Sequence, residues 1–94
     1  MAARFEVHGC VTREQRGLFV LVGEILDGMV QVGMKASVEG DDTGSFQDAV
    51  HSLEFIEVEA GHTEPALTFH YRDPAKLERW LGLPWKGHVV RLEY

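Results

Sequence analysis

Cysteine is almost missing from this chain: Cys10 is the one cysteine among 94 residues. An internal disulfide is thereby excluded, and Cys10 reads as an inert, packed thiol of a reducing compartment. Long apolar runs are missing as well. None approaches the roughly 18 consecutive apolar residues of a membrane-spanning helix, and Met1-Ala2-Ala3-Arg4-Phe5 has no signal-peptide core. The expectation is a cytoplasmic protein without membrane contact. Basic residues are few, with 9 Lys and Arg against 15 Asp and Glu and a net charge of −6. Nucleic-acid affinity comes largely from neutralising phosphates. The acidic balance counts against autonomous RNA or DNA binding, and the basic residues are scattered rather than interleaved with aromatics.

Chemical motifs are equally sparse. There is no GxxxxGK[ST] phosphate loop, so the chain carries no GTPase of its own. His8, His51, His62, His70 and His88 show no HxH, HExxH or paired Cys/His spacing. His51 and His70 fall where neighbouring strands can bring them together, but zinc needs three or four converging ligands, and no metal or cofactor is expected. Asp41 and Asp42 lack the calcium-loop ligand pattern and read as a solvated loop. Glu54, Glu57 and Glu59 have no partner constellation for acid–base work, and Ser37, Ser45 and Ser52 lie in no nucleophile elbow. A non-enzymatic protein is expected.

What is present is β-rich patterning in one 94-residue domain. Residues 4–12 alternate, with Phe5, Val7 and Val11 on one face and Arg4, Glu6, His8 and Thr12 on the other. Residues 13–17 are a polar turn. Residues 18–26 form a nearly continuous apolar strand, followed by Asp27-Gly28, a strong hairpin signal because both residues tolerate positive φ. Val30 and Val32 resume the alternation in a return strand over 29–39, with a bend at Gly33. A polar loop covers residues 40–45, and another strand runs over 46–59. Its apolar phase moves from His51, Leu53 and Phe55 to Ile56 and Val58, which predicts a bulge or sharp bend. Residues 60–64 form a turn. Residues 66–72 alternate cleanly, setting Leu67, Phe69 and Tyr71 against Ala66, Thr68 and His70.

One short helix is well signalled. Asp73 is a good N-cap and Pro74 suits the first helical position. Leu77, Trp80 and Leu81 make one apolar face, while Gly82 and Pro84 stop the helix. About two turns cannot stand alone, so the Trp80 face must dock on the sheet. A last strand runs over 87–94. The predicted fold is all-β: a six-stranded, mostly antiparallel Greek-key barrel with one short helix before the last strand.

Three segments carry a family resemblance. Gly23, Ile25, Gly28, Val30, Val32, Gly33 and Met34 match a Gly-x-Val/Ile-x-x-Gly-x-Val-x-Val-Gly-x pattern. Val50-His51-Ser52-Leu53-Glu54 looks like a Val-x-Ser-Ile-Glu strand, and Gly87-His88-Val89-Val90 like a closing Arg-Gly-x-Val-Leu strand. In order and rough spacing the chain resembles the second, β-barrel domain of translational GTPases such as elongation factor Tu. Residues 73–86 stand as an insertion relative to that pattern. The Thr12–Arg16 loop does not register with the family's ligand-contacting loop without a gap, so no tRNA- or ribosome-contacting residue is carried over. The matched glycines are structural positions.

The resemblance implies a stand-alone interaction module whose partner is a protein, or RNA only within a larger complex. Candidate binding residues are Trp85 and Lys86, where an aromatic follows Pro84 at the end of the insertion, and Arg13 and Arg16 in the first turn. The plainer readings are a Trp85 that covers the open barrel end and a solvated, charged turn. Two other classes compete. A small-ligand or metal-binding barrel, sensor or enzyme, needs a concave pocket with converging His and Glu side chains. A homo-oligomerisation domain needs an exposed strand edge.

Overall fold

In a computed structural model, residues 2–41, 44 and 46–94 are described. The Asp42 half of the acidic loop pair and Ser45 lie outside them. Strand β1 (Ala2–Arg13) turns through a 3-10 segment (Glu14–Arg16) into β2 (Leu18–Asp27). Then follow β3 (Lys35–Val38), β4 (Gln47–Ala49), β5 (Ser52–Glu59), β6 (His62–His70), helix α1 (Pro74–Leu81) and β7 (Val89–Glu93). The seven strands form one sheet in the order β4-β3-β7-β1-β2-β6-β5, and every pairing is antiparallel. The edge strands β4 and β5 are separated in the chain only by Val50 and His51, so the sheet curls around one core.

The architecture is all-β, as read, but strand count and closure differ: seven strands curl into a half-barrel where six in a barrel were expected. The extra strand comes from residues 46–59. Val50 turns inward, 2% exposed, and its N–H still donates to the Met34 carbonyl, whereas the His51 N–H donates to Thr68. The backbone thus changes partner at this point, and one expected strand becomes two.

The hairpin at Asp27-Gly28 does not form. Gly28 does have positive φ, 79°, but both edges of β2 are already taken by β1 and β6. The following segment is left as loop and turn, and β3 pairs with β7 and β4 instead. Val30 and Met34 drop from that loop into the core.

Inward faces supply the core. Phe5 and Val7 from β1, Phe19 and Leu21 from β2, Leu67 and Phe69 from β6, and Val90 and Leu92 from β7 are all fully buried. The alternation along β1 changes phase partway. Val7 pairs with Gly23 and Gly9 with Val22, so His8 is the extra residue of a bulge. Beyond it Cys10 packs against the core and Val11 turns outward, against the face assigned from simple alternation.

Helix α1 closes one end of the half-barrel. Asp73 caps it through its Oδ1, which accepts from the Ala75 N–H at 3.0 Å. Trp80 is buried against Phe19 and Phe46, ring centroids 5.3 and 4.9 Å away. Lys76 ties the helix to β4, with Nζ 3.1 Å from Asp48 and 5.2 Å above the Trp80 ring. No helix among the described residues is long and apolar enough to cross a membrane.

Candidate binding site on the outer sheet face and the β5–β6 arm

Strand β2 is buried on both faces. Its outward residues Leu18, Val20 and Val22 form a second apolar cluster with Ala66, and Ile56 packs on it. The outer face of the sheet is therefore partly covered where Ile56 of β5 lies over β2 and β6. An open groove of about 490 Å³ runs there, lined by His8, Gly9, Cys10, Val11 and Arg13 from β1, Val22 from β2, Ile56, Glu57 and Val58 from β5, and Glu64 from β6. Its lining is largely apolar, with Glu57 and Glu64 set against Arg13 and His8.

The β5–β6 hairpin overshoots this floor. Residues 57–63 are all exposed, so the arm stands clear of the core. Phe55 is 68% exposed and Val58 45%. Among the described residues β5 pairs with β6 alone, so its other edge carries free ladder positions. A bulge at Val58, between the Glu57–Thr63 and Glu59–His62 pairs, twists the end of that edge.

A polar chain crosses the groove at one end. The bulge throws His8 toward β6, where its Nδ1 lies 2.9 Å from Glu64 Oε1. Glu64 Oε2 lies 3.2 Å from His62 Nε2. The hydrogen bond with Glu64 holds the His8 imidazole above its usual pKa, against some desolvation. The same bond, helped by His62, holds the Glu64 carboxyl below its usual value. On the other side, His8 Nε2 lies 3.6 Å from Glu6 Oε1. Glu6 in turn sits directly opposite Glu24 on β2.

The residues singled out by sequence do not converge. Trp85 is 4% exposed, and its Nε1–H donates to the Trp80 carbonyl at 2.6 Å. It packs on Phe19 and Phe46 at the helix-covered end of the half-barrel. One edge of it lines a separate cavity of about 370 Å³ with Val38, Leu83, Pro84 and His88. Lys86 is exposed beside it. Arg13 and Arg16 line a shallow hollow at the β1–β2 turn, and Arg16 Nη2 reaches Glu54 Oε2 at 3.5 Å. His51 and His70 do approach, with ring centroids 5.7 Å apart. The Glu6, His8 and Glu24 grouping was not singled out. Alternation put Glu6 and His8 on one face, but Glu24 joins them only through strand register.

No protein-family model, curated protein or solved structure matches the chain.

Proposed function

We propose that this domain is a non-enzymatic interaction module, a half-barrel relative of the second domain of translational GTPases, that receives a protein segment on its β5 edge. The projecting β5–β6 arm carries this reading. A two-stranded arm gains little stability by exposing Phe55 and Val58 to water, and an unpaired strand edge beside an apolar groove suits strand addition. Glu54, Glu57 and Glu59 lie along that edge strand. The fitting partner is therefore an extended segment with alternating apolar and Lys or Arg side chains; RNA enters only as part of a larger complex. The family resemblance rests on the quoted sequence pattern, two glycines of which, Gly23 and Gly28, are positions where an added Cβ would overlap the backbone of β1.

The test is affinity capture from the native host with three baits: the parent chain, Phe55→Glu and Val58→Lys. A protein retained by the parent and lost with both edge variants supports the reading, once peptides from it bind the purified domain. Equal recovery on all three baits refutes it. Sedimentation of the purified chain addresses the homo-oligomer class, because a dimer broken by Phe55→Glu would assign the edge to a second copy. One observation favours the ligand-binding class: histidine and carboxylate groups do converge at the groove end.

A further inference from the structure

We propose that Glu6, His8 and Glu24 form a binding site for one divalent transition-metal ion of the zinc class, with Glu64 as the outer partner that orients His8. One ligand atom from each of the three residues lies within 4.8 Å of the others, so modest side-chain adjustments bring all three to the about 2.0–2.2 Å that a single ion requires.

The placement of His8 points to a cation here. Its Nδ1 is engaged by Glu64 at 2.9 Å, which leaves Nε2, the nitrogen that faces Glu6 Oε1 at 3.6 Å, as the ring atom available to a metal ion. Glu24 brings a second carboxylate to the same point. It is paired in register with Glu6 across β1 and β2, and like charges directly opposite each other destabilise a sheet. One divalent ion relieves that repulsion.

The surroundings match a held ligand set rather than a loose acidic cluster. His8 is the extra residue of the β1 bulge, which aims its ring across the sheet. Its Nδ1–H is anchored on Glu64, and Glu64 is held by His62 at 3.2 Å. Metal-binding histidines are regularly oriented in this way, through a carboxylate on the far nitrogen. An imidazole with two carboxylates suits zinc, cobalt or manganese and disfavours magnesium and calcium, which take oxygen ligands. His8 and Glu24 are exposed, so a fourth coordination position opens to solvent, at the end of the groove lined by His8 and Glu64.

The test is isothermal titration of the untagged, metal-free chain with zinc chloride near pH 7, followed by cobalt(II) absorption. The expected result is one equivalent of zinc bound by the parent. His8→Ala or Glu24→Gln should weaken it at least about a hundredfold, and Glu64→Gln about 10–100-fold, as for outer-shell partners. The double variant His51→Ala/His70→Ala should bind as the parent does, and thermal melts establish that each variant is folded. Absence of zinc binding at millimolar concentration would overturn the proposal. Undiminished binding in His8→Ala would overturn it too, by placing the ion elsewhere.

Discussion

The carbonyl oxygen of Glu6 occupies the space where a Cβ on Gly23 would lie. Glycine at position 23 lets β1 and β2 approach closely, immediately beside the bulge that aims His8. Gly23→Ala must push backbone against backbone, so it should destabilise the fold by about 3 kcal/mol, the upper range for overpacking. Gly9→Ala is the matched control, because nothing lies within 4 Å of its added carbon. Urea melts of both variants check this; equal midpoints would show that the close approach does not constrain the sheet.

The aromatic plug gives a second expectation. Trp80 is 2% exposed beneath α1, in contact with Phe19 and Phe46. Trp80→Ala should cost about 3–5 kcal/mol through lost burial and the cavity left behind. Trp85→Phe keeps most of the apolar volume but loses the Nε1–H bond to the Trp80 carbonyl. That carbonyl also accepts from the Leu83 N–H, so it keeps a partner, and the cost should be nearer 1–2 kcal/mol, roughly a hydrogen bond plus a small void. Denaturant unfolding followed by tryptophan fluorescence measures both. A Trp85→Phe cost as large as that of Trp80→Ala would mean that Trp85, not the helix, holds the end closed.

Cys10 provides a readout of local packing. The residue after the bulge leans on the core, and partial burial raises the thiol pKa. A raised pKa lowers the thiolate fraction at any pH below it, and the thiolate is the reactive form. At pH 8 the folded protein should react with Ellman's reagent more slowly than an unstructured cysteine peptide. The rates should converge in denaturant. Raising the pH should speed the folded reaction, since deprotonation is what limits it. A folded rate equal to that of the peptide would show that Cys10 is free of the core.

Local signals in the sequence were the legible ones. The capped helix lies at Pro74–Leu81, with Asp73 and Pro74 in the expected roles. The alternation of Leu67 and Phe69 against Ala66 and Thr68 places each on its expected side. Long-range pairing was not legible. Asp27-Gly28 carries every local mark of a hairpin, yet β2 was already flanked by β1, its neighbour across the Glu14–Arg16 turn, and by β6, which arrives from a distant part of the chain. The inserted residue at His8 also left no mark in the alternation, and without it Val11 is placed on the wrong face. The same two blind spots hid the site. Its ligands come together only through a bulge and the Glu6–Glu24 register, both properties of strand pairing rather than of composition.

The structure also sharpens the expectation for nucleic acid. Of the basic side chains, Arg4 is paired with Asp27 at 2.7 Å, Arg16 with Glu54 at 3.5 Å, Lys76 with Asp48 at 3.1 Å and Arg91 with Glu93 at 2.7 Å. Four of the nine Lys and Arg are thus engaged by carboxylates on different elements, which reduces the charge offered to a phosphate backbone. The β5 edge carries Glu54, Glu57 and Glu59, which repel it. With a net charge of −6, the isolated domain should bind RNA only weakly near 0.15 M salt, the physiological range. Contact through Arg13 and Arg16 alone neutralises few phosphates. Its affinity should then fall gently with salt, with a log–log slope of about 0.9 per phosphate on a duplex and about 0.7 on a single strand. Fluorescence anisotropy with labelled tRNA and single-stranded RNA is the measurement. A sub-micromolar affinity with a steep salt dependence would contradict the protein-partner reading of the β5 edge and make an RNA-containing complex the primary target.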